Sequence, residues 1–210
     1  MFNTAVFDKE VDDLLLSGQE TAAEERMLRE YSELKAAGDA GVEYVIWRLA
    51  HFYSMPATED LDRAEAYFLE GERLSPGAPA KYETAMFYFH VVGDAEKTIK
   101  KVDEIESLPS DQASHYSALT LKGQSLLKLG KFHDAEVVLQ DLLGLIKAQP
   151  FGLPHGDELN LLEVAILVPT LAPKCCELLR LTLPKIRSQE CQKRAKALLR
   201  YPPCSPEVSG

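Results

Sequence analysis

Five histidines and four cysteines are the side chains of this 210-residue sequence best suited to acid–base, nucleophilic or metal chemistry. The histidines, His51, His90, His115, His133 and His155, are scattered one to a segment. In "FHDAE" at 132–136, His133 stands beside Asp134, but neighbours on a helix point about 100° apart and do not share a ligand easily. Zinc ligands are usually paired two to four residues apart on a turn. The cysteines form an adjacent pair, Cys175 and Cys176, followed by the distant Cys191 and Cys204, which does not match that spacing. Buried free thiols are the expectation, with disulfides and a metal or redox site as the lesser alternatives. No glycine loop for a phosphate, no "HExxH" and no nucleophile-elbow serine occurs. No catalytic residue, metal site or cofactor is expected, and the sequence makes no case for an enzyme.

The elements that would position these side chains are helical. Apolar residues recur at three- and four-residue spacing, the mark of amphipathic helices. Turn signals interrupt them at short intervals: "LSGQ" near Gly18, "AAGDAG" at 37–41, "SMPATED" at 54–60 and "LSPGAP" at 74–79. "VVGD" at 91–94, "LPSD" at 108–111, "KLGK" at 128–131 and "QPFGLPHGD" at 149–157 continue the series. The segments between them are three to five turns long, which predicts a stack of helical hairpins.

One stretch shows how the hairpins pack. "GQSLLKLGKFHDAEVVLQDLL", from residue 123 to 143, places Gly123 and Gly130 among strong helix formers. Each glycine costs about 1 kcal/mol against alanine inside a helix, so the packing must require the missing side chain. Gly123, Leu126, Gly130, Ala135, Leu139 and Leu142, with Leu119 opening the first helix, resemble the tetratricopeptide repeat, a pair of close-packed antiparallel helices of about 34 residues. A second copy runs through Ile46, Leu49, Ala50, Tyr53, Ala64, Phe68, Gly71 and Pro76. A weaker third copy uses Tyr82, Met86, Phe89, Thr98, Val102, Ile105 and Pro109, and an N-terminal one Phe7, Val11, Leu14, Gly18, Ala23 and Met27.

The resemblance implies an all-α, right-handed α-α superhelix of tetratricopeptide-like hairpins with a C-terminal capping helix. It forms a single repeat domain over 1–201, with repeats at about 4–37, 43–76, 79–109 and 116–148 and a degenerate hairpin and cap at 157–201. Pro169, Pro173 and Pro184 should break or kink the helices of that last section. The tail at 202–210, "PPCSPEVSG", is expected to be disordered.

In such an array the first helices of successive hairpins line a concave groove, and the resemblance implies a non-catalytic scaffold or adaptor that holds a peptide or helix of a partner protein there. The groove positions map onto Tyr44, Trp47, His51 and Ser54, then Glu83, Phe87 and His90, then Ser117, Thr120 and Gln124. Trp47 and Phe87 have an alternative place, packed between hairpins. Some members of the family grip chaperone C-termini with lysines and asparagines. Here the corresponding places hold Asp8, Asp12, Trp47, His51 and Glu83, and none of these grips a carboxylate.

Charge bounds the partners. The formal net charge is −10 and the isoelectric point about 5.0, so non-specific nucleic-acid binding by the whole molecule is not expected. Residues 1–50 hold eleven acidic against five basic side chains, whereas 171–200 hold eight basic against two acidic. The basic patch Lys185, Arg187, Lys193, Arg194, Lys196 and Arg200 has three readings: a solvated cap, a dock for nucleic acid or an acidic partner, or one half of a head-to-tail homo-oligomer. The longest C-terminal apolar run, "VAILVPTLAP", is too short to cross a bilayer. The start "MFNTAVFDKEVDD" has no basic stretch followed by an apolar one, and a soluble, cytoplasmic protein is expected.

Overall fold

The computed structural model describes residues 2–108, 112–148, 157–186, 188–200, 202 and 204. Among them every regular element is helical and no strand occurs. Pro109, Arg187 and most of the 202–210 tail lie outside the described residues. The chain divides into two compact units, Met1–Gly93 and Asp94–Gly210, where the sequence suggests one continuous repeat domain.

The first unit contains α1 (Thr4–Leu16), α2 (Glu20–Ala37), α3 (Gly41–Ser54), α4 (Leu61–Leu74) and α5 (Ala78–Phe87), which runs into a π-helical turn at Tyr88–Val92. Consecutive helices pack against one another. Their ends are set by local chemistry. Asn3 and Asp60 accept hydrogen bonds from the amides of Val6 and Arg63, at 3.2 and 3.1 Å, each satisfying one of the donors a helix start leaves free. Gly38 and Gly93 end helices at φ of 63° and 76°, a left-handed conformation that side chains disfavour. The core joins Phe7, Val11, Ala23, Met27, Val45, Leu49, Ala50, Ala64, Phe68 and Phe87. Ala50 and Ala64 have no exposed surface, so α3 and α4 meet at small side chains.

The second unit contains α6 (Ala95–Glu106), α7 (Gln112–Lys128), α8 (Phe132–Ala148), α9 (Asp157–Ala165), α10 (Ala172–Thr182), a 3-10 turn at Leu183–Lys185 and α11 (Gln189–Leu199). The expected third hairpin, 79–109, spans the division: α5 packs with α4, and α6 with α7. A Cβ at Gly123 of α7 would lie 2.6 Å from Cδ2 and 2.9 Å from Cγ of Leu139 on α8. Leu139 is fully buried, so its side chain has nowhere to retreat. That close approach is what the glycine permits, and Gly130, at φ 72°, turns the chain between the two helices.

Prolines mark the breaks in the C-terminal section. Pro169 lies in the turn between α9 and α10, Pro173 in the first turn of α10, and Pro184 in the 3-10 turn. Prolines are tolerated there because the amide they lack has no intrahelical partner to lose.

The free-thiol expectation fails for two cysteines. Cys176 and Cys204 form a disulfide with 5.2 Å between Cα atoms, while Cys175 and Cys191 are free. One helical step separates Cys175 from Cys176, so the two side chains diverge and only Cys176 meets the returning chain. Arg180 reinforces this closure by donating to the Cys204 carbonyl oxygen at 2.7 Å. Cys204 is therefore held in place and buried, contrary to the disorder expected of the whole tail. Burial pushes the Cys175 thiol up to about 12.

Candidate functional site: the outward face of the first helices in unit 1

Helix α3 buries Val45, Ile46, Leu49, Ala50, Phe52 and Tyr53. The opposite side of its 3.6-residue period is left to Tyr44, Trp47, Arg48 and His51. Of these His51 is exposed, and Tyr44, Trp47 and Arg48 are half-buried. The stripe is fixed from both sides.

On one side, Asp8 and Asp12 are one turn apart on α1 and reach α3. The Tyr44 hydroxyl donates to Asp8, and Arg48 donates to Asp12 at 2.6 Å while lying 3.6 Å from Asp8. The hydrogen bond to Asp8 holds the Tyr44 phenol above its usual range, because ionisation would remove the donated proton, and burial and the charge of the carboxylate act in the same direction. The buried Oδ1 of Asp8 has no hydrogen-bond partner. On the other side, Trp47 and His51 stand edge-on against Phe68 of α4, at ring-centroid distances of 5.9 and 5.4 Å. Phe68 stacks in turn on Phe87 of α5 at 4.7 Å. The indole sits where α4 has no side chain: a Cβ at Gly71 would lie 2.7 Å from Cζ2 of Trp47.

The sequence-expected groove residues divide accordingly. Trp47 and His51 form a partly open aromatic ledge, and Tyr44 is half-buried in the polar link to α1. Glu83 on α5 and His90 in the π-helical turn are exposed, and His90 lies edge-on to Phe89 at 4.9 Å. Phe87 is 3% exposed and belongs to the core, because stacking on Phe68 draws it inward. It supports the ledge from below and offers no surface of its own. Thr120 and Gln124 lie on α7 of the second unit. Thr120 is buried, with its hydroxyl donating to the Tyr116 carbonyl oxygen at 2.9 Å, and Gln124 is half-buried.

Sequence reasoning missed Arg48 and the role of Phe68. Arg48 follows Tyr44 by one turn, a signal that it shares the outward face, but its partners are on another helix. Periodicity places Phe68 in the core without showing that its ring forms the floor under Trp47.

The basic patch is less uniform than its composition. Lys185, Lys193, Lys196 and Arg200 are exposed. Arg194 instead turns toward α9, donating to Glu163 at 2.6 and 3.0 Å and to Asn160 at 2.7 Å. Among the described residues, no group of three or more His, Cys, Asp and Glu is placed to hold a metal ion, and no helix is long and apolar enough to cross a membrane.

No family model and no curated protein matches the chain. Solved structures do resemble it. PilW, a widely conserved type IV pilus biogenesis factor, is similar over 97% of this chain and 96% of its own, with a TM-score of 0.54 and 16% identity. Two structures of a Podosopora anserina putative kinesin light chain with nearly identical TPR-like repeats, one of them of a single-substitution variant, have TM-scores of 0.60 and 0.61 at 12% identity. They cover 92% and 93% of this chain, and 93% of each of theirs is covered. At such identities the likeness speaks for the fold alone, and the fold is that of the tetratricopeptide-like helical repeats.

Proposed function

We propose that the protein is a non-catalytic scaffold that holds a segment of a partner protein on the α1–α3–α5 face of its first unit. The observation that carries this reading is the Trp47–His51 ledge. It consists of aromatic side chains kept partly open to solvent, fixed from below by Phe68 and Phe87, and bordered by polar groups. Aromatic anchors held rigidly by their surroundings contribute heavily to protein interfaces, because little side-chain entropy is lost on binding.

The test is affinity capture from source lysate with the wild-type protein and with Trp47→Ala. Loss of about 1–3 kcal/mol of partner affinity on truncation is expected of such an anchor. Partner recovery that ignores Trp47 would overturn the reading. Phe87→Ala is not a fair probe, since it would open the core.

The second reading, docking of nucleic acid or an acidic partner along α11, rests on the exposed Lys193, Lys196 and Arg200. The engagement of Arg194 with Glu163 weakens it. The Cys176–Cys204 bond favours an oxidising compartment over the cytoplasm, because cytosolic reductants keep thiols reduced. Finding both thiols free in protein alkylated at the moment of cell lysis would return the assignment to the cytoplasm.

A further inference from the structure

The net charge is not shared between the two units. Residues 1–93 carry eighteen Asp and Glu against eight Lys and Arg, a formal charge of −10. Residues 94–210 carry fifteen of each and are balanced. The whole negative charge of the molecule therefore sits on the unit that bears the Trp47–His51 ledge.

The ledge itself repeats that sign. Asp8 and Asp12 border it from α1 and Glu83 lies on α5. Arg48 is the cation of this face, and it is already engaged by both aspartates. Lys9 on α1 is paired with Asp13, and Lys81 on α5 lies 3.5 Å from Glu72. Asp12 stays about half exposed while accepting from Arg48, and Glu83 is exposed. A partner laid on the ledge meets aromatic surface with the α1 carboxylates along one border, and Glu83 is an exposed carboxylate on α5, the helix whose Phe87 supports the floor of the ledge.

Resting on the scaffold reading above, we propose that the α1–α3–α5 face binds a cationic amphipathic segment of a partner protein. Its apolar side chains rest on Trp47 and His51, and its lysines or arginines face Asp12 and Glu83. Opposite charge across an interface steers encounter and rejects partners of the wrong sign. Aromatic rings add attraction for a cation placed over them. The −10 charge of the unit draws such a segment in from beyond contact range and repels an acidic one. It also opposes close approach of a second copy of the same unit.

The test uses the full-length protein and two labelled synthetic peptides, one an amphipathic helix of leucines and lysines, the other with every lysine replaced by glutamate. Fluorescence anisotropy should show the lysine peptide binding at least about ten-fold more tightly, with the preference shrinking as salt screens the charges. Glu83→Lys, at an exposed position, should lower affinity for the lysine peptide several-fold and narrow the preference. Trp47→Ala should weaken that binding as well.

Equal binding of both peptides that still depends on Trp47 would overturn the charge selection and leave the scaffold reading standing. Lysine-peptide binding that ignores both Trp47→Ala and Glu83→Lys would overturn both, and so would failure of both peptides to bind. A light-scattering mass at a multiple of the monomer, lost in Glu83→Lys, would make a second copy the occupant and overturn the proposal.

Discussion

The indole of Trp47 fills a notch that Gly71 leaves in the neighbouring helix, where a Cβ would stand 2.7 Å from Cζ2 and 2.9 Å from Cε2 of the ring. Gly71 thus sets the height at which the ledge residue rides. Gly71→Ala should displace the indole and cost about 1–3 kcal/mol, as overpacked sites do. Trp47 is the only tryptophan in the chain, so its emission reports the change alone. A red-shifted emission with a lowered Tm is the expected pair of results.

A second glycine carries the corresponding role in the other unit. Gly123→Ala should destabilise by about 1–3 kcal/mol, because the new methyl meets the fully buried Leu139. Gly144, on α8, has nothing within 4 Å of its Cβ position. Gly144→Ala should therefore be neutral or stabilise by up to about 1 kcal/mol through helix propensity. Urea unfolding of the two variants separates a packing requirement from a general intolerance of alanine.

These glycines also show what could be read from the sequence. The small residues at 50, 64, 71, 123 and 135 and the turn at Gly130 follow a local spacing, and spacing is enough to specify paired helices. The caps at Asn3 and Asp60 are likewise local. The inward pull on Phe87 is not, because it depends on how the Phe68 ring of α4 is oriented. The reach of Arg48 to Asp12 joins residues 36 apart and leaves no periodic trace. The Cys176–Cys204 bond spans 28 residues, and spacing alone does not assign its partner.

Acid should loosen the first unit through Glu24. The Tyr53 hydroxyl donates to its carboxylate at 2.5 Å and Arg63 at 2.6 Å. The Tyr53 hydrogen bond, followed by Arg63, holds the carboxyl below its usual range against the opposing effect of burial. A carboxyl lowered in the folded state contributes stability that is present above its unfolded pKa and is lost as pH falls through the folded value. Tm should therefore decline below about pH 4.5, near the unfolded carboxylate value. Glu24→Gln should cost about 1 kcal/mol at neutral pH and flatten that part of the acid profile.

The disulfide makes a chemical prediction. Without reductant, alkylation of the unfolded protein should modify Cys175 and Cys191 and leave Cys176 and Cys204 protected. In the native protein the raised, buried Cys175 thiol should react more slowly than the half-buried Cys191. Removing the cross-link with Cys204→Ser should lower stability by about 3.5 kcal/mol, the loop-closure value for a span of 28 residues. Peptide mapping by mass spectrometry checks the first two outcomes and calorimetry the third.

The claim on which the functional account depends is that the outward stripe of α3, with its neighbours on α1 and α5, is where a partner lies. Amide chemical-shift mapping of the full-length protein titrated with the lysine–leucine peptide tests it most directly. The expected result is that the shifts cluster at Asp12, Trp47, His51 and Glu83, while Glu25, Arg29 and Glu33 on the outer side of α2 stay still. Shifts centred on Lys193, Lys196 and Arg200 of α11, with α3 undisturbed, would contradict it.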